Sequence, residues 1–440
     1  MDKFEMETVM ADDFSFDELA HSFFGCNVGN VHAPVWTCGL EYGGGFDSDF
    51  PIPLIDIYPH DFLNCQTWAA GDFYNSFWAL ESAFCQNVVK LLSVLHTPDP
   101  NPSKACWSGP WLDLITATAD DGFWMTMNAF PISFANRNVA SREWENLKVR
   151  FNDGKVGPLT EWSGQESFES YRKEVIKQRR ELYRAAIVEF KPKLILAFSK
   201  KSDELRCLFD DDEAPEMEWD QWGAAFSSET GNNEKDGTND CFVKAVSCGT
   251  GQTLLAVLPF PAGRYGIAST DKILNVGEEL AKHCEEKYGK DWRTSSYPSE
   301  RNSPYCNKDS DTLKKFQKAQ ELAEYWAKTV RRLSKALVYA ENLREATQRL
   351  GYIYCPESVI KVEDDHDAGC YENERSEYWV NNVEKLRWVP AATENLNEYE
   401  QALRDLYRHA AEQLLEARRK IFELDRQLYR ETFGEEFPAL

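Results

Sequence analysis

The sequence predicts an α/β protein: a three-layer α/β/α unit around a four-stranded parallel sheet, followed by a C-terminal α-helical hairpin. Three observations carry this. Short apolar runs just before Gly39 and at 123–128, 193–198 and 254–258 have strand length. Amphipathic stretches lie between and after them, and strand–helix alternation of this kind is the grammar of a parallel sheet covered on both faces. Beyond a Ser/Pro/Asn-rich segment, two long amphipathic stretches at 312–350 and 396–433 suggest two antiparallel helices.

In chain order, residues 1–30 form an acidic, Phe-rich arm, either a leader helix packed on the core or a mobile segment. Residues 31–294 are the α/β unit. Within it, a helical pattern from about 72 to 95 sets Phe77, Leu80, Phe84, Val88 and Leu92 on one face. A basic helix at about 168–188 leads into the strand at 193–198, and a further helix spans about 270–287. Residues 203–240 hold 13 acidic and two basic residues with several Gly and Asn, so they read as a surface insertion between the third and fourth strands. A linker at 295–311 precedes the helical domain, 312–440. There Leu322, Trp326, Val330, Leu333, Leu337, Ala340 and Leu343 recur at mostly helical spacing. Whether this hairpin packs on the α/β unit, forms a homodimer, binds a protein partner or touches DNA is left open.

A chain of 440 residues is long enough for more than one domain, and 13% aromatic residues suit a packed core. The formal net charge of −24 argues against a nucleic-acid partner. Its distribution matters more: residues 1–100 carry 15 acidic and two basic residues, whereas 137–201 carry 15 basic and nine acidic. A basic middle is compatible with DNA bound on a single face, and equally with a solvated helix. The 12 cysteines include no C-x-x-C pair and have no His at ligand spacing, so neither a metal nor a cofactor is expected. No basic-then-apolar leader and no run of about 18 apolar residues occurs, so no membrane association and a cytoplasmic location are expected.

Chemistry-bearing residues gather where the apolar strands end. The first runs Trp36-Thr37-Cys38-Gly39-Leu40-Glu41-Tyr42-Gly43-Gly44-Gly45-Phe46, with a carboxylate on a glycine-rich turn; the second ends Met127-Asn128-Ala129-Phe130-Pro131; the last leads into Phe260-Pro261-Ala262-Gly263-Arg264. In order and spacing these pieces, over residues 31–290, resemble the uracil-DNA glycosylase superfamily.

The resemblance implies a base-flipping monofunctional glycosylase. Glu41 falls on the Asn/Asp position of the family's first motif, G-x-[ND]-P-G. An anion there stabilises the oxocarbenium-like sugar and accepts a proton from the attacking water. Tyr42 and Gly43 take the next two places, and Gly43 leaves open the space that a Tyr closes in the uracil-only branch, so a pyrimidine substituted at C5 fits. Asn128 aligns with the Asn that reads the flipped base; a strand-ending Asn bonded to backbone is the alternative. Phe46 and Phe50 are candidates for stacking on the base or for the core. Phe260 stands where the family carries a His, a departure that weakens leaving-group stabilisation or signals a different base. Arg137 and Arg264 are candidates for phosphate contact. No Lys lies in these motifs, so no Schiff base and no strand cleavage are expected. Hypermodified viral DNA, and hence antiviral defence, suits the open pocket. The alternatives are a catalytically inactive nucleic-acid- or protein-binding module on the same fold, and an acidic DNA mimic.

Overall fold

The structure, a computed structural model, describes residues 14–26, 28–29, 31–40, 50–57, 83–96, 122–134, 137–198, 205, 208–209, 220–221, 242–248, 251–261, 270–294, 307, 309–350 and 393–436.

Four parallel strands form the centre: β2 (Val35–Gly39), β4 (Trp124–Asn128), β7 (Leu194–Phe198) and β10 (Gly251–Leu258), side by side as β4-β2-β7-β10. This is the expected four-stranded parallel sheet. Antiparallel strands extend both edges to seven. β1 (Val28–Gly29) pairs with β4, while β9 (Phe242–Cys248) and then β8 (Asp220–Gln221) continue beyond β10. The sequence expectation had no strand at β9, and it treated 203–240 as surface. In fact β8 lies inside that segment, and Leu205, Leu208 and Phe209 near its start are fully buried, Phe209 stacked on Tyr183.

Strand side chains alternate between faces, and the core divides accordingly. Val35, Trp124, Leu194, Leu196, Leu254 and Ala256 pack with helices α2 (Ala83–His96) and α6 (Thr270–Tyr288). Trp36, Cys38, Met125, Met127, Ile195, Ala197, Leu255 and Val257 face the other way, against α1 (Phe16–Ala20) and α5 (Phe168–Phe190). Helix α1 has a reciprocal cap: the Glu18 N–H donates to Ser15 Oγ (3.2 Å), and the Ser15 N–H donates to the Glu18 carboxylate (2.7 Å). Phe14, Phe16, Leu19 and Phe23 are buried, so residues 14–26 are a packed leader. Residues 72–82 of the expected second helix lie outside the described residues.

A small second sheet joins β3 (Ile52–Pro53), β5 (Lys148–Arg150) and β6 (Val156–Pro158), with short helices α3 (Arg137–Glu143) before β5 and α4 (Leu159–Ser163) after β6 in the chain. It meets the C-terminal helices α7 (Asp311–Leu350) and α8 (Thr393–Phe433), which are the expected pair. They run antiparallel: Phe316 and Ala319 pack with Leu424 and Leu428, while Val330, Leu333 and Leu337 pack with Leu403, Tyr407 and Leu414. Leu322, expected on the apolar stripe, is 47% exposed, because Ala319 and Ala323 occupy the seam instead.

The hairpin is bound to the α/β unit by buried charge. Fully buried Arg150 donates from Nε to Ser334 Oγ (3.0 Å), from one terminal nitrogen to the Gly154 carbonyl (2.7 Å), and from both to the Glu341 carboxylate (3.4 Å). Arg404 of α8 donates to the same carbonyl (2.9 Å) and also pairs with Glu341 and Glu400. Arg331 pairs with buried Asp56 at 2.6 Å, Arg418 donates to the Ile55 carbonyl, and Ile55 itself sits in the hairpin's core. At the far end His32 lies among Phe190, Tyr429 and Phe433, its Nε2 3.0 Å from the Tyr429 hydroxyl. Burial pulls the His32 pKa down to about 4. Among the described residues, no helix is long and apolar enough to cross a membrane.

Candidate functional site

In an open parallel sheet a ligand crevice forms outside the carboxyl ends of the strands, between neighbours whose onward connections leave to opposite sides. Here those neighbours are β2, which connects outward to β4, and β7, which connects the other way to β10. Pairing continues past the strand ends: the Ala129 N–H donates to the Gly39 carbonyl (2.8 Å), and the Phe130 N–H to that of Leu40 (2.9 Å). The backbone is therefore held up to the residue before Glu41. Glu41, Tyr42, Gly43, Phe46 and Arg264 lie outside the described residues.

Asn128 stands opposite Gly39 in register, at the end of β4. It is 8% exposed, and its Nδ2 donates to the Gly25 carbonyl at 2.9 Å, so one amide N–H is engaged with the leader segment. Its own carbonyl accepts from Arg179 (2.7 Å) and from the Tyr183 hydroxyl, and a second Arg179 nitrogen donates to the Phe24 carbonyl (2.7 Å). The Cys26 thiol lies 2.9 Å from the Tyr183 oxygen. Arg179 and Tyr183 are four residues apart and so share a face of α5, with Arg179 fully buried. Among the described residues the guanidinium meets no carboxylate; its acceptors are carbonyls and a hydroxyl. A cation beneath the carboxyl end of β4 therefore keeps a favourable field for an anion at that edge. Burial, opposed by the Arg179 charge, raises the pKa of Cys26 and raises those of Cys38 and Tyr183 well above the ordinary range, so all three keep their protons at neutral pH.

Phe260 lies two residues beyond β10 at the same edge, three strand spacings or roughly 14 Å from the end of β4. Its ring stacks on Phe84 of α2 (centroids 4.8 Å apart, planes at 21°), and Phe84 meets Phe198 edge-on. One helical turn on, Asn87 donates to the Pro261 carbonyl (2.6 Å), and buried Lys90 donates to Thr270 Oγ1 (2.9 Å). Helix α2 thus holds the chain on both sides of 262–269. Desolvation lowers the Lys90 pKa.

Phe50 packs against the helical hairpin. Its ring lies 6.4 Å from that of Tyr339, with the Lys335 ammonium 5.3 Å above it, so it joins the first motif's exit to α7. Arg137 opens α3, and its side chain lies outside the described residues. Of the expected site residues, the structure describes Asn128 and Phe260 at one edge of the sheet and Phe50 against α7. Sequence reasoning missed Arg179, Tyr183 and the Phe84–Asn87–Lys90 face. One signal was present: Val175, Arg179, Leu182 and Ala186 share a helical stripe, and an arginine on an otherwise apolar stripe marks a buried cation.

No family model matches the chain, and neither a curated protein nor a solved structure matches it.

Proposed function

We propose that the chain is a DNA glycosylase that flips out a pyrimidine, one substituted at C5, and hydrolyses its N-glycosidic bond to leave an abasic site. One observation carries the reading: the motif that resembles the superfamily's water-activating turn begins at the carboxyl end of β2, beside the point where the sheet's connections diverge. The pairing of Leu40 with Phe130 brings the first and second motifs side by side there. In the reaction the bonding pair leaves with the base, water supplies the hydroxyl at the sugar carbon, and Glu41 accepts the water's proton. The Arg179 cation under Asn128 favours an ionised carboxylate at that edge. Gly43 leaves room at C5, and hypermodified bases of viral DNA in the cytoplasm are the substrates this would serve.

A binding module without chemistry is the second reading. It is favoured by Phe260, which replaces the family's His and is committed to a stack with Phe84. Incubation with duplexes carrying uracil, hydroxymethyluracil, or plain or glucosylated hydroxymethylcytosine, followed by an abasic-site assay, separates the two. The expected result is cleavage of at least one C5-substituted base, with a rate lowered roughly 10²- to 10⁴-fold in Glu41→Gln. DNA binding without abasic sites on any duplex sinks the enzyme reading, and near-normal turnover in Glu41→Gln removes that residue from the mechanism.

A further inference from the structure

From Tyr325 to Ala340, helix α7 carries four basic residues and no acidic one, in a chain whose net charge is −24. Lys328, Arg332, Lys335 and Tyr339 follow one another at steps of four, three and four, which aligns them on one helix face. Lys328, Lys335 and Tyr339 are exposed and Arg332 is half-buried; at 51% Tyr339 is among the most exposed large hydrophobic side chains described. Lys328 pairs with Glu324 and Arg331 with Asp56, while Arg332 and Lys335 meet no carboxylate among the described residues. The basic middle of the chain behaves differently. On α5, Arg172 and Lys173 pair with Glu169, and Lys177 pairs with Glu174, so much of that charge is neutralised locally.

A second aromatic ring comes from the other unit. Phe50, which leaves the glycine-rich first motif, lies against Tyr339 and beneath Lys335. A row of cations that ends in aromatic rings on one surface suits a nucleic-acid strand: cations meet phosphates, and rings stack on bases. The stripe from Lys328 to Tyr339 runs about 16 Å at 1.5 Å per residue, enough for several nucleotides.

We infer that this face of α7, with Phe50, is a DNA-strand contact surface that continues from the end of the first motif onto the helical hairpin. The inference rests on DNA being the partner in the reading above, and it gives the hairpin a direct part in binding.

The test is fluorescence anisotropy with a labelled 30-nucleotide single strand and its duplex, neither carrying a modified base, over a salt series. Arg332→Gln with Lys335→Gln is expected to weaken binding about 10-fold or more at low salt. It should also lower the log–log salt slope by about two units on duplex, slightly less on the single strand. Tyr339→Ala should weaken binding with the slope unchanged, and Arg332→Lys should retain binding. Lys173→Gln with Lys177→Gln, on the paired face of α5, serves as the control and should leave both quantities near wild type. Unaltered affinity and slope in the α7 double variant, or a wild type that binds neither DNA, overturns the inference. Abasic-site formation is read in parallel: a double variant that binds normally while wild type excises a base defeats only the α7 surface, whereas lost binding with no base ever excised supports the surface and defeats only the glycosylase reading.

Discussion

Asn128 gives the clearest case of chemistry set by neighbours distant in sequence. Its carbonyl is fixed by Arg179 and Tyr183 and its amide by Gly25, so two distant segments converge on one residue. The sequence placed an Asn at a strand end and left its partners open; the leader and α5 supply them. His32 carries the residue-scale prediction. Its folded pKa of about 4 lies below the ordinary 6.5, so between those values the unfolded chain binds a proton that the folded chain does not. Stability present above about pH 6.5 is therefore lost as the pH falls towards 4, by up to roughly 3 kcal/mol from this one group. His32→Phe removes the titration while keeping an aromatic ring among Phe190, Tyr429 and Phe433. Urea midpoints at pH 7 and 4.5 should fall less on acidification in the variant than in wild type. An equal fall in both would mean that carboxylates, and not His32, account for the acid sensitivity.

Among elements, the strands and helices with clear periodicity were legible: α5, α6, α7 and β7 lie within a few residues of their expected bounds. Strand β9 was not, because it forms by pairing with β10 at the end of an acidic segment whose composition signals a loop. Packing between elements was equally hidden. Gly277 of α6 faces α2, and a Cβ added there would come within 2.9 Å of the Cβ and one γ-methyl of Val94. A Cβ cannot swing aside as a long side chain can, so the two helices would have to separate. Gly277→Ala should therefore destabilise by about 1–3 kcal/mol through overpacking, offset by up to roughly 1 kcal/mol of helix propensity. Denaturant titration decides it: a stabilised variant would show that the helices part without cost.

For the whole molecule, the hairpin, whose packing the sequence left open, is joined to the α/β unit through Arg150, Arg404, Glu341 and Asp56, with Ile55 in its core. Arg150→Ala leaves Glu341 and the Gly154 carbonyl with Arg404 as their remaining partner and strips a donor from Ser334. Because it removes one side of a buried pair, a loss of about 3 kcal/mol is expected. Scanning calorimetry should show one transition in wild type, shifted downward in the variant. Two well-separated transitions in wild type would mean that the hairpin and the α/β unit unfold independently despite these contacts.

Local quantities were legible in the sequence: the alternation of strand and helix, the length of the two C-terminal helices, the carboxylate after β2 and the Asn that ends β4. These are encoded in periodicity and in motif order, which need only neighbouring residues. The tertiary structure alone decided the strand order that brings β2 and β4 together beside the divergence point. It also decided the burial of Arg179 without a described carboxylate, the commitment of Phe260 to a stack with Phe84, and the packing of Phe50 against α7. The physical reason is sequence separation. Arg150 meets Ser334 across 184 residues, and Phe50 meets Tyr339 across a still longer stretch; burial and charge pairing of that kind are properties of the assembled chain, which no window of neighbouring residues contains.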